Sequence, residues 1–419
     1  MTGAPALPPA PWTNAEQSDQ EAAAARIFAL PEIRRAVQAL ERVAMPAPQM
    51  RLASGALTWR RSMEELAFAF VIRAVNADPL HPRILWDQTP PHMRDGVWIP
   101  GSRCTGNNPD NIYRRVPLDP SSRYRLQGWV IGEPAGDVTL SILPDLAAQE
   151  SWRQTTCTLE ELRIDPGGRF SVLLDSEEPR GERGNHICLR PGAARMTIRE
   201  SMTDWDVQSP MRFAIEQLAG PPSAREVNEA SMARELAERL PRFARHWIDF
   251  SNRTYFSGAP NEFAPLGTPP GGLATQLSAM GNFSLREDEA LWVRMSTLGA
   301  RYWGVQLLDP WMFALPYRDR CGSRNPRQSA PGAEGDLDFV ISIQDPGVAN
   351  WLDTDGLSQG AMHVRWQGLP TGARPATAVQ AKKVRLDQLH QLGLAVRNDP
   401  QRRDELARRE IAHDRRFED

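Results

Sequence analysis

The chain has 419 residues, 41% hydrophobic and 24% charged, which excludes a disordered or fibrous polymer and exceeds the size at which one core keeps growing. A formal charge of −3 with both signs interleaved leaves no footprint for nucleic acid. No stretch approaches the roughly 20 apolar residues of a membrane span, and the first residues lack a basic region followed by an apolar run, so a cytoplasmic protein without a membrane partner is expected.

Residues 1–19, rich in Pro and Ala, read as a flexible arm. A helical segment follows over 20–96, with helices predicted at 20–44 and 59–76, the second crowded by Leu66, Phe68, Phe70 and Ile72. Over 97–219 short apolar alternations broken by Pro, Gly, Asn and Asp predict a first β-sandwich, with Tyr124 and Leu126, Val138 and Leu140, Phe170 and Val172, and Met196 and Ile198 keeping period two. A central helical segment spans 220–260, with Ser223 as N-cap and Glu226 as its capping-box partner. Alternation resumes over 261–372 as a second β-sandwich, through Leu291 and Val293, Trp303 and Val305, Phe339 and Ile341, and Met362 and Val364. Residues 373–419 form a helical tail whose arginines from Arg402 to Arg416, interleaved with acids, read as a solvated face.

The strand anchors of the two sandwiches keep a nearly constant offset. Tyr124 matches Leu291, Val138 matches Trp303, Phe170 matches Phe339, Asn185 matches Asn350 and Arg199 matches Arg365, all between 165 and 169 residues apart. The pattern predicts a mainly β fold with helical additions, built as two tandem jelly-roll-like antiparallel β-sandwiches related by internal duplication.

Positions where the halves differ chemically are the ones the fold does not dictate. His186 and Cys188 stand where the second half has Trp351 and Asp353, Thr197 faces His363, and Glu200 faces Trp366. Asp353, Asp355, Asp345 and Asp309 are therefore the candidate catalytic carboxylates, because an apolar wall raises a carboxyl pKa toward neutrality and suits it to acid/base chemistry. Trp311 and Trp351 are candidate walls for a ring-shaped ligand, with Tyr302, His363, Arg365, Tyr113 and Arg114 as further substrate-binding residues. The competing reading is that each Asp closes a turn through its own backbone. Asp345, Asp353, Asp355 and His363 offer oxygen and imidazole ligands for a metal, but the seven histidines and four cysteines show no ligand spacing, and no metal or other cofactor is expected.

The stretch DPGVANWLDTDG, with Asp345, Pro346, Gly347, Asn350, Trp351, Leu352, Asp353, Thr354 and Gly356 before Arg365, resembles a bacterial family known as domain of unknown function twelve-fourteen. NPDNIYR and YRLQG resemble its earlier part, so the likeness covers residues 100–366. The family phrase continues with a small residue and a His after the Gly, where this chain has Leu357. The resemblance implies a β-sandwich fold and supplies no reaction. On the residues alone, the expected function is acid/base chemistry (elimination, isomerisation or hydrolysis) on an apolar, ring-containing small molecule. A carbohydrate-active or carbohydrate-binding protein and a non-catalytic binding or assembly module, with a possible homo-oligomer, are the alternatives.

Overall fold

The apolar alternations resolve into two β-sandwiches, each a five-stranded sheet facing a four-stranded one. The computed structural model describes residues 8, 12, 14–104, 106–144, 155–178, 184–221, 228–268, 272–332, 336–372 and 378–417. The Ser223–Glu226 capping box and most of the arm lie outside these residues, although Ala15–Asp19 already belong to a helix.

Six helices are described: α1 (Ala15–Ala29), α2 (Pro31–Ala39), α3 (Glu41–Ala44), α4 (Ala53–Val75), α5 (Glu229–Tyr255) and α6 (Asp399–Arg415). Asn228 caps α5, its side chain accepting from the amides of Ala230 and Ser231. The first sandwich is formed by β1 (Leu85–Asp87), β4 (Asn111–Pro117), β5 (Arg123–Trp129), β6 (Asp137–Pro144), β7 (Thr155–Thr158), β8 (Arg169–Asp175), β9 (His186–Cys188), β10 (Ala193–Ser201) and β11 (Arg212–Ala219). A separate hairpin, β2 (His92–Arg94) and β3 (Val97–Ile99), stands beside it. The second sandwich takes β12 (Glu262–Phe263), β13 (Leu277–Ser284), β14 (Glu289–Ser296), β15 (Tyr302–Leu308), β16 (Ser323–Arg324), β17 (Asp336–Ser342), β18 (Trp351–Asp353), β19 (Gln359–Gln367) and β20 (Val379–Arg385).

Strand order repeats between the halves. The sheets β1-β4-β10-β6-β7 and β11-β5-β8-β9 have as counterparts β12-β13-β19-β15-β16 and β20-β14-β17-β18. Register repeats with it: Leu174 lies opposite Ile187 and Tyr124, as Ile341 lies opposite Leu352 and Leu291. The same register corrects one expected match, since Phe170 corresponds to Leu337, and Phe339 to Val172. The sheets are also not wholly antiparallel, because β8 with β9 and β17 with β18 run parallel.

Each sandwich encloses its own core. Tyr124, Leu126, Leu140, Val172 and Ile198 fill the first, and Leu291, Val305, Phe339, Val364 and Trp366 the second, all fully buried. Each such side chain contributes roughly 1.5–3 kcal/mol of apolar burial. Two predicted boundaries move. The N-terminal segment ends its helices at Val75, and β1 joins the first sandwich. The C-terminal segment opens with β20, an edge strand whose Lys382 and Lys383 resist further pairing, so its lysine-rich composition is that of a guarded edge rather than a helix.

Helix α6 corrects a further expectation. Its arginines at 402 and 409, and Arg416 just beyond its end, recur every seven residues, two helical turns, and form one buried stripe. Arg402 bonds Asp345 at 2.8 Å and the carbonyl of Val348, and lies over Trp351. Arg409 bonds the carbonyl of Tyr317 and the Ser323 hydroxyl, and Arg416 bonds the carbonyl of Pro109. Both guanidinium groups lie over the Trp205 ring, 4.6 and 4.2 Å from its centre. Trp205 and Pro109 belong to the first half and Tyr317 and Asp345 to the second, so α6 is a strap across both.

Arg409→Ala should lower unfolding free energy by about 3 kcal/mol in urea titration, because it strips partners from a buried carbonyl, hydroxyl and amide together. A loss below about 1 kcal/mol would return α6 to a solvated face.

A second bond across the halves is sensitive to pH. Arg301 of the second half donates to Asp137 at 2.9 Å, yet burial pushes the Asp137 carboxyl up to about 6 against that guanidinium. Its folded pKa lies above the ordinary carboxyl value of about 3.8, so the folded state binds the extra proton. Stability should therefore fall as pH rises from about 4 to about 6, by about 3 kcal/mol. Asp137→Asn should flatten that interval in denaturation curves taken across it; an unchanged slope assigns the dependence to other groups.

Candidate functional site

Each of the four candidate carboxylates is engaged by groups of the protein itself. Asp309, at the end of β15, is fully buried; it accepts from the amides of Trp311 and Phe313 and from Ser62 of α4 at 2.7 Å. Asp345 accepts from the Gly347 amide at 2.9 Å and is held by Arg402 of α6. Asp353 accepts from the Asp355 amide at 2.9 Å, and Arg320 bridges the Asp353 and Asp355 carboxylates at 2.8 and 3.2 Å. Three of the four thus close a turn onto the amide two residues ahead, as the competing reading described. Asp355 sits in the left-handed region at φ 55°, and burial and the Asp353 charge hold its carboxyl above the ordinary range while Arg320 pulls it down. Among the described residues no three His, Cys, Asp or Glu converge closely enough to hold a metal ion.

The two predicted tryptophan walls are both interior. Trp311 is 4% exposed, and its indole N–H reaches the carbonyl of Gly55, which fastens α4 to the second sandwich. Trp351 lies on β18 rather than in a loop, 7% exposed, donates to the carbonyl of Ser342 and receives Arg402 on its face. Trp303 lies in the core of the second sandwich, whereas Trp292 is only partly covered and bonds Asp338.

Four of the predicted binding residues do come together, between the sandwiches. Tyr302 donates to Asp110 at 2.8 Å and accepts from Asn108, and the Tyr113 hydroxyl accepts the Asn108 amide. Arg365 donates to the carbonyl of Gly106 and to Gln306. His363 shares a 2.8 Å bond between its Nδ1 and the Tyr255 hydroxyl, while its Nε2 is buried without a hydrogen-bond partner among the described residues. Burial, then the Arg365 charge, holds this imidazole well below its usual range, so it is neutral. Gly304 is required here, since a Cβ would meet the Tyr302 hydroxyl at 2.3 Å. Asp110, in the NPDN phrase that runs into Tyr113, belongs to this layer as well, and so does Tyr255, which ends a helix and carries no signal in the sequence that sets it apart.

Arg114 stands apart. It shares strand parity with Ile112 and Val116, points into the first sandwich, and is bonded to Glu200 and the carbonyl of Met211. Its guanidinium is committed to the protein.

An open site lies elsewhere, where α4 and α5 meet the outer face of β4 and β10, around a cavity of about 430 Å³. Phe70 and Phe243 stack along it with ring centres 4.6 Å apart, and Trp247 packs edge-on against Phe243. The indole N–H of Trp247 is buried without a hydrogen-bond partner among the described residues. Arg73, Arg115, Arg239 and Arg242 line the cavity, as does Arg195, with no acidic side chain in the lining. Asp87 pairs with Arg73 at 2.9 Å and Arg115 at 3.5 Å, and Glu235 with Arg239 at 3.0 Å. Burial and the Arg73 charge push the Arg115 guanidinium down to about 10. The signal was present in α5, where Arg239, Arg242 and His246 follow one another at helical spacing beside Phe243 and Trp247, but it reads equally as the wet face of a packing helix.

No protein-family model matches the chain, and no curated protein does. Solved structures supply similarity of shape. An uncharacterized protein from Burkholderia cenocepacia superposes with a TM-score of 0.69 at 22% identity, covering 87% of this chain and 99% of that one. A protein from Vibrio parahaemolyticus gives a TM-score of 0.41 at 10% identity, covering 66% of this chain and 90% of that one. The Burkholderia cenocepacia likeness shows the fold alone: a mainly β chain with N-terminal, central and C-terminal helices.

Proposed function

We propose that this chain binds a small, ring-bearing molecule in the cavity between α4, α5 and the first sandwich. The observation that carries the reading is the Phe70–Phe243 stack lining a space of about 430 Å³, the volume class of small-molecule sites. An aromatic pair of this geometry offers a flat apolar wall, and the unpartnered Trp247 N–H beside it is a donor in search of an acceptor. The reading keeps the apolar cyclic ligand expected from sequence and moves it away from the Asp353–Asp355 turn, where the carboxylates already serve the backbone and Arg320.

The recurrent strand order and register also support descent of the two sandwiches from one duplicated unit. On that view the cavity belongs to the first copy together with the helices laid against it.

Binding is measured by thermal shift against a panel of aromatic compounds, terpenoids, steroids and monosaccharides. An apolar cyclic member should raise the melting temperature, and Phe70→Ala should weaken its affinity about tenfold, or about 1.4 kcal/mol. Leu57→Ala, at an exposed site on α4, serves as the control and should leave binding intact. Hits that persist at full strength in Phe70→Ala place the ligand elsewhere and end the proposal.

A further inference from the structure

The charge around the cavity narrows what it holds, on the condition that the ring-binding reading above is right. Arg73 and Arg115, with side chains 9% and 15% exposed, share the single carboxylate of Asp87. Arg239 is matched by Glu235 on the next turn of α5, and its guanidinium lies 5.9 Å from the centre of the Phe70 ring. Arg242 forms no ion pair among the described residues. Leaving Arg195 aside, four guanidinium groups therefore meet two carboxylates, a surplus of two positive charges on one wall of a chain whose net charge is −3.

Lysine keeps a compact, strongly hydrated charge, whereas the planar guanidinium forks of arginine match carboxylate and phosphate oxygens two bonds at a time. The cations lining this cavity, His246 aside, are arginine, as are 47 of the chain's 49 basic residues, so each one here carries such a fork. Arg73 comes from α4, Arg115 from β4, and Arg239 and Arg242 from α5, so the charges are gathered from three elements instead of spreading along one helix. Burial of Arg73 and Arg115 at the inner end makes an anion there more favourable than at an exposed surface, because less water screens it.

We infer that the ligand is a ring-bearing dianion, its ring against Phe70 and Phe243 and its doubly charged group, of the phosphate-monoester class, among Arg73, Arg115 and Arg242. Any group in the ring that accepts a hydrogen bond is served by the Trp247 indole.

Three probes with one ring and increasing charge test this: 1-naphthol, 1-naphthoate and 1-naphthyl phosphate, titrated into the full chain by calorimetry at pH 7.5. Affinity should rise along the series by about tenfold at each step and fall with added salt for the two anions only. Arg242→Gln, at an exposed position, should weaken 1-naphthyl phosphate about tenfold and leave 1-naphthol within twofold, while Phe70→Ala weakens all three. Equal affinity for the three probes, or a phosphate affinity unmoved by Arg242→Gln, overturns the dianion and leaves ring binding standing. Failure of all three, together with a panel in which no cyclic compound depends on Phe70, overturns the site itself.

Discussion

The architecture depends on burying charge between two sandwiches without leaving any of it unmatched. Asp110 lies 1% exposed at the centre, accepting from the Trp205 indole, the Asn325 amide and the Tyr302 hydroxyl, each within 2.9 Å. Burial holds its carboxyl above the ordinary range, against the hydrogen bonds of Tyr302 and Asn325 and the charges of Arg409 and Arg416 that pull it down. The donors come from both halves and the cations from α6 and the residue just after it. An unpartnered carboxylate at that depth would cost several kcal/mol, so the halves and the C-terminal strap must be placed together.

That constraint gives a physical account of some of the acids and indoles that stand in the second half where the first has other residues. Asp345 and Trp351 receive Arg402, Glu405 of α6 receives Arg324 of β16, and Asp353 and Asp355 receive Arg320. In the equivalent places of the first half, His186 bonds Asp175 within its own sheet, and among the described residues no helix crosses it there. Chemical difference between paired positions was a sound filter for what the sandwich itself does not require. In the second half Asp345 and Trp351 receive a helix, whereas Asp353 and Asp355 are held by Arg320 and His363 by Tyr255.

Most of the fold was legible because strands carry it at period two, and period two survives in the sequence even when register is unknown. Tyr302, Tyr113, His363 and Arg365 were legible for a related reason: each departs from the apolar pattern of its strand, and they share the face turned toward the other sandwich. The arginine stripe was not, since Arg402, Arg409 and Arg416 sit among Asp404, Glu405, Arg408 and Glu410, and only the tertiary partner shows which face is buried. β20 was hidden by Lys382 and Lys383, whose edge-guarding role reads locally as helix. The arginine-lined cavity was least visible of all, because its residues come from α4, β4, β10 and α5, elements far apart in the chain.

The two charged regions of the molecule make a useful contrast. In the layer beneath α6, each guanidinium named above ends on a carboxylate, a carbonyl or an indole face, and Glu405 alone serves Arg324, Arg397 and Arg402. The same chain leaves Arg73 and Arg115 sharing one aspartate beside an open cavity, with burial and mutual repulsion weakening the hold of Arg115 on its proton. Folding alone gives no reason for the difference, since an apolar or amide side chain at 115 would relieve the repulsion and leave Asp87 with Arg73. A chain that pairs its buried charges closely in one place and keeps a surplus in another is holding that surplus for an anion it does not itself supply.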